Sequence, residues 1–122
     1  MARIDEYETV IGGLQAAVTI DSFDGKTIII QTTFPNGGYL ASAYDFIYRN
    51  KDLLEENVTI TGNLIFIASF VYDSHKNQII KNQIINYFKK LSKLINSALE
   101  VVRIEQGWRN NIKNYIIHKK NQ

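Results

Sequence analysis

Two short apolar runs open the pattern: LQAAVTI, Leu14 to Ile20, and KTIIIQTT, Lys26 to Thr33, both dense in β-branched residues as strands are. Between them lies DSFDG, whose Asp24-Gly25 supplies the positive φ of a tight hairpin, so the spacing predicts an antiparallel pair. Phe34-Pro35-Asn36-Gly37-Gly38 is the strongest loop signal, and Gly12-Gly13 is a second flexible pair near the N-terminus. In YLASAYDFIYRN, Leu40, Ala43, Tyr44 and Ile47 recur at three and four, which favours a short helix, although its aromatics would also suit a strand. NVTI, Asn57 to Ile60, then a turn at Thr61-Gly62-Asn63 and the run LIFIASFVY, read as a second hairpin. Leu64 to Tyr72 is apolar at nearly every position, so both its faces should be covered, as in a central strand or an oligomer contact.

After Asp73-Ser74, a candidate helix cap, the period changes from two to about three and a half. Ile84, Phe88, Leu91, Ile95, Ala98 and Val102 form one stripe, and the lysines Lys81, Lys89, Lys90 and Lys93 lie mostly off it. The register continues to Trp108, Ile112 and Tyr115, which permits one long bent helix or two helices broken near Gly107 or at Asn96-Ser97. Ser97 and Glu100 have capping-box spacing, and two segments are the preferred reading. The expectation is a single α+β domain over 1–122: a small antiparallel β-sheet in 1–73, then two C-terminal helical segments in 74–122. A helix of about 28 residues would run roughly 40 Å, more than one small sheet covers. Its exposed stripe calls for a partner chain, so the chain is expected to form a homo-oligomer.

Composition narrows the chemistry. With no cysteine, disulfides, thiol catalysis and thiolate metal sites are excluded. LIFIASFVY is far short of the roughly 20 residues of a membrane span, and the acidic start MARIDEYETV shows no export signal, so a cytoplasmic location is expected. Two histidines, His75 and His118, stand at opposite ends of the helical half without acids at helical spacing, so no metal site is expected. No Gly-x-Ser-x-Gly string and no phosphate-loop spacing is present, and Glu55-Glu56 reads as solvated surface. No catalytic set and no cofactor site emerge.

Charge is divided unevenly. Residues 1–73 hold four basic and ten acidic side chains, net −6; residues 74–122 hold ten and two, net +8. Such a block suits an anionic partner or an acidic neighbouring subunit. Aromatic rings beside arginine and asparagine suit nucleotides, and two stretches concentrate them. One, Pro35 to Arg49, contains Asn36, Tyr39, Tyr44, Phe46, Tyr48 and Arg49; the other, Arg103 to Asn111, contains Arg103, Trp108, Arg109 and two asparagines. Trp108 and Tyr44 fall on apolar stripes, where large aromatics are more often core. Arg109 sits beside the stripe, where its guanidinium either reaches a pocket edge or serves the surface.

The stretches GGLQAAVTI, FPNGGYLASAYDFIYRN and GWRNNIKNYIIHKK, in a chain of this length, resemble the small phage proteins that sponge the nucleotide signal of the bacterial Thoeris defence. The resemblance covers most of the chain and implies tight binding of glycocyclic ADP-ribose without cleavage, in the cytoplasm of an infected host. Some relatives of that family are similar in capturing cyclic trinucleotides at sites made by oligomerisation. It also implies that Arg109 contacts a phosphate or ribose, that Trp108 stacks on a base or walls the pocket, and that Arg103 and Arg49 are second choices. Asn36 with Tyr39 would then belong to a loop closing over the ligand from an adjacent subunit. The competing readings are a small nucleic-acid-binding regulator, against which stands the absence of any recognised motif, and a protein inhibitor acting through its helical face.

Overall fold

A computed structural model describes residues 1–71 and 77–121. Five strands form one antiparallel sheet in the order β1-β2-β3-β5-β4. They are β1 (Ala2–Ile11), β2 (Leu14–Phe23), β3 (Thr27–Thr33), β4 (Asn57–Ile60) and β5 (Phe66–Val71). Between β3 and β4 the chain leaves the sheet through a 3-10 segment (Gly37–Ala43), the short helix α1 (Tyr44–Arg49) and a second 3-10 turn (Lys51–Leu54). Helix α2 (Asn77–Lys120) completes the α+β fold. The candidate cap Asp73-Ser74 and His75 lie outside the described residues.

Both predicted hairpins form. Asp24 (φ 56°) and Gly25 (φ 64°) take left-handed conformations between β2 and β3, as a two-residue turn of the mirror-image type requires. β5 is an interior strand, with Ile30 opposite Ala68 on one side and Val58 opposite Ala68 on the other. Its alternate residues Phe66, Ala68 and Phe70 are buried, and Ile67 and Ser69 on the opposite face are only half-buried. The strand is interior to the sheet, as expected, and within the chain α2 and its neighbours cover one of its faces.

β1 is an element that the hydrophobic pattern missed. It is an edge strand in which charged residues hold most outward positions, and only the alternation Tyr7, Thr9, Ile11 shows progressive burial. Arg3 Nε donates to Asp21 Oδ1 at 2.6 Å and ties its start to β2 beside a register shift between Arg3 and Asp5. At its other end Gly12 and Gly13 make the turn into β2, with φ of 60° and 87°. The Gly12 N–H donates to Ser92 Oγ on α2, and a Cβ built at Gly12 would lie 2.6 Å from Ile95 Cβ and 2.8 Å from the Ser92 carbonyl oxygen. This turn is where the sheet corner touches the helix backbone.

The core forms between the inner sheet face and one side of α2. Val18, Ile30, Phe66 and Ala68 meet Tyr87, Leu91, Leu94, Ile95 and Ala98, all at most 2 % exposed. Leu40, Ala43, Ile47 and Leu54 close the flank from the connection. Phe70 and Tyr87 pack edge to face at 5.6 Å. The Tyr87 hydroxyl is buried with Thr32 Oγ1, yet neither atom makes a hydrogen bond of normal geometry. Burial pushes the Tyr87 phenol well above its ordinary value, the nearby Thr32 side chain moderating the rise and Glu56 adding to it.

The C-terminal half is one continuous helix of 44 residues, not two segments. Ser97 and Glu100 lie in mid-helix, where Glu100 accepts from Arg103 Nη1 at 3.0 Å instead of capping. Gly107 has open space around it and costs about 1 kcal/mol in a helix interior, too little to break a long run. At ~1.5 Å per residue α2 extends about 66 Å. Its last buried residue is Val102; from Gln106 to Asn121 every residue is exposed. About a third of the helix therefore projects beyond the sheet it covers. None of the helices is long and apolar enough, among the described residues, to cross a membrane.

Gly12→Ala should destabilise the protein by about 2–4 kcal/mol, because a left-handed residue gains a Cβ against helix backbone, whereas Gly13→Ala should cost roughly 1–2 kcal/mol. Urea unfolding followed by circular dichroism compares the two. Tyr87→Phe should be neutral within about 1 kcal/mol or stabilising, since it removes a buried hydroxyl without breaking a bond; the same unfolding curve measures it.

Candidate functional site

A groove of about 300 Å³ lies where α2 passes the connection between β3 and β4. Phe46 of α1 and Leu53 of the second 3-10 turn form one wall, Leu94 and Ser97 of α2 the other, and Glu55, Lys90 and Lys93 its polar rim. Local folding explains the placement. Ile47 and Leu54, both fully buried, anchor the connection onto the core, which leaves Phe46 half-buried and Leu53 61 % exposed at the rim. Glu55 follows in a left-handed conformation (φ 55°) that ends the 3-10 turn and directs the chain into β4.

Electrostatics set the character of the rim. Lys90 Nζ donates to Glu55 Oε2 at 2.7 Å, and this hydrogen bond, with the lysine charge, holds the Glu55 carboxyl below the ordinary glutamate range. Glu56, one residue on, is shifted upward by its own burial, which outweighs the attraction of Lys90. The groove thus joins two apolar walls, a ring edge and ammonium groups, one of them held by a carboxylate. No group of three or more His, Asp or Glu that could hold a metal occurs among the described residues.

The groove continues along one face of α2. Lys90, Leu94, Ser97, Val101, Ile104 and Trp108 recur at alternating spacings of four and three and so share one face of the helix. Within the body this face forms the groove wall. Beyond Val102 it stands free, with Ile104 and Trp108 each 64 % exposed and bordering a shallow apolar depression with Val101 and Glu105. Ile112, Tyr115 and Ile116 prolong the exposed apolar surface towards the tip.

The six residues singled out from the sequence are all exposed in the chain. Arg103, Trp108 and Arg109 lie on the projecting part of α2, Arg49 ends α1, and Asn36 and Tyr39 belong to the first 3-10 segment and its approach. Each arginine is held by a carboxylate on its own helix: Arg109 Nη2 to Glu105 at 2.8 Å, Arg103 Nη1 to Glu100 at 3.0 Å, Arg49 Nη2 to Asp45 at 2.6 Å. Trp108 lies on the predicted stripe, yet the sheet ends before it and the indole does not pack into the body. The loop of Asn36 flanks a different groove, of about 320 Å³, between Phe34-Pro35-Gly37-Gly38 and Gly62-Asn63-Leu64.

Sequence reading missed the Phe46–Leu53–Lys93–Ser97 groove. Phe46 sat within a recognised aromatic cluster, but nothing in the linear pattern brings it beside Lys90 and Lys93, some forty residues away. Compared with family models, curated proteins and solved structures, the chain matches none.

Lys90→Met should raise the Glu55 pKa towards the ordinary range and raise the Glu56 pKa further, because both lose an attracting cation; carboxyl chemical shifts followed against pH report both. The depressed Glu55 pKa contributes stability that is present at neutral pH and lost as pH falls through its folded value. The small stability difference between wild type and Lys90→Met should therefore shrink in acid.

Proposed function

We propose that the protein is a non-catalytic binding protein that captures a small anionic nucleotide and acts as an assembly of identical chains. The ligand class that the resemblance implies is a cyclic ADP-ribose signal, glycocyclic ADP-ribose first, with cyclic trinucleotides as a second class. Held in this way, the signal would be withheld from the Thoeris effector that it activates. The observation that carries the reading is one face of α2, which leads from a groove rimmed by Lys90, Lys93 and Glu55 into an exposed apolar and aromatic stripe beside Arg109.

The six nominated residues stand apart in one protomer, so in this reading a second copy brings Trp108 and Arg109 to the ligand. Phe46 supplies a ring wall and Lys93 a phosphate contact. Sequestration needs slow release and no turnover, and a guest enclosed between chains meets both through excluded water and many donors.

Calorimetric titration with cyclic ADP-ribose isomers, followed by recovery of the guest after heating, tests the reading. Heat on mixing and an unaltered guest are expected; absence of heat with every isomer and every cyclic trinucleotide overturns it. Lys93→Ala and Arg109→Ala should each weaken capture about tenfold or more, the usual worth of a charged hydrogen bond. Glu55→Gln should strengthen it a few-fold by releasing Lys90. Binding that instead falls steeply with salt and requires polymeric nucleic acid favours the regulator reading.

A further inference from the structure

We propose that the open edge of β1 docks an extended segment of another protein in which basic and apolar residues alternate, adding it to the sheet as a further strand. The inference goes beyond nucleotide capture and uses none of the residues assigned to it.

Backbone geometry defines the edge. β1 stands at one end of the sheet and, among the described residues, pairs only with β2. A two-residue turn closes on a hydrogen-bonded pair, here Ile11 with Leu14, and such pairs alternate along an antiparallel ladder. Tyr7 and Thr9 are therefore bonded to β2, while the N–H and C=O groups of Glu6, Glu8 and Val10 point away from it. The Glu6 N–H agrees with that direction, donating to Asp5 Oδ1 at 2.8 Å. Glu8 and Val10 are both exposed, and their backbone groups face the solvent side.

Long edges are ordinarily blunted by lysine, proline or bulges, and short ones by their brevity. The opposite edge, β4, has four residues. β1 has ten, with a register shift only between Arg3 and Asp5 and neither lysine nor proline in its sequence. From Asp5 to Ile11 it is an unbroken template for another strand, a recognition mode in which main-chain bonds give affinity and alternate side chains give selectivity.

Side chains set the chemistry of the occupant. β1 holds three acids, Asp5, Glu6 and Glu8, against one arginine. Tyr7 and Ile11 pack against the core on the helix side, so Glu6 and Glu8, alternating with them, lie on the sheet face away from α2. The face of α2 that reaches this corner through the Ser92 bond to Gly12 continues to Phe88 and Ile85, which border an open depression of about 480 Å³. A strand with basic residues on one face and apolar ones on the other suits both sides of the edge. A second copy of β1 does not. In the antiparallel registers that overlap most of the strand, Glu8 comes opposite Glu8 or Glu6, or Glu6 opposite itself, like charges that destabilise a ladder. The chain's own basic residues within 77–120 are held in α2 and cannot add as a strand.

The probe is a peptide of about nine residues alternating lysine and valine. Its addition to isotope-labelled protein should slow hydrogen exchange at Glu8 and Val10 about tenfold or more and leave Tyr7 and Thr9, already bonded to β2, little changed. The lysines that face Glu6 and Glu8 are the residues whose N–H groups point to β1, because side-chain face and hydrogen-bonding edge alternate together. N-methylation at the lysine nitrogens should therefore weaken binding about tenfold or more, and N-methylation at the valine nitrogens should spare it. Glu6→Lys combined with Glu8→Lys should reverse the preference, losing the lysine peptide and accepting one with glutamate in place of lysine; a variant that merely misfolded would gain neither. Equal binding of the two N-methylated peptides, or binding without protection at Glu8 and Val10, overturns strand addition, as does absence of binding at millimolar peptide. Protection of the same amides that grows with protein concentration alone assigns the edge to a second copy and overturns the basic partner. No nucleotide enters the experiment, so its failure and the failure of nucleotide capture are read separately.

Discussion

One-sided packing of a long helix on a short sheet is the constraint from which the rest follows. The inner sheet face needs a cover, and α2 provides it through Tyr87, Leu91, Leu94, Ile95 and Ala98, with the glycine turn at Gly12 allowing the sheet corner to approach the helix backbone. Burying such side chains supplies roughly 1.5–3 kcal/mol each relative to exposure, which fixes where the helix lies. A strand of seven to ten residues spans about 23–33 Å, far less than the length of α2. The overhang is therefore a geometric necessity once the helix runs unbroken.

That overhang separates two kinds of surface on a single element. Near the body, the face holding Lys90, Leu94 and Ser97 meets Phe46 and Leu53 and becomes a groove; past Val102 the same face, with Ile104 and Trp108, has nothing against it. Exposed contiguous apolar surface is costly for a chain that works alone and useful for one that assembles. Arg49, Arg103 and Arg109 are each paired with a carboxylate about one helical turn away on the same helix.

Two signals in the sequence pointed in directions the fold did not take. Ser97 with Glu100 has the spacing of a helix start, but a cap stabilises only a helix end, and here continuous burial of Ile95, Ala98 and Val102 carries the helix straight through. ARIDEYETV carries too many charges to resemble a strand, because an edge strand with little cover has few positions that must be apolar. In both cases tertiary context outweighed a local preference worth about 1 kcal/mol.

The sequence by itself determined the α+β class, the two hairpins turned by Asp24-Gly25 and by the Thr61-Gly62-Asn63 region, and the apolar stripe of the C-terminal half. Those features are written in periodicity and turn chemistry, which act over a few residues. It also displayed the stripe of Trp108, Ile112 and Tyr115, though not that this stretch would lie beyond the core. Only the tertiary structure decided that α2 is one helix, that β1 forms the edge, and that Phe46 and Leu53 stand across a groove from Lys93 and Ser97. These depend on where a helix of fixed rise meets the end of a sheet, a matter of relative lengths and of contacts between residues some forty apart, which no local pattern encodes.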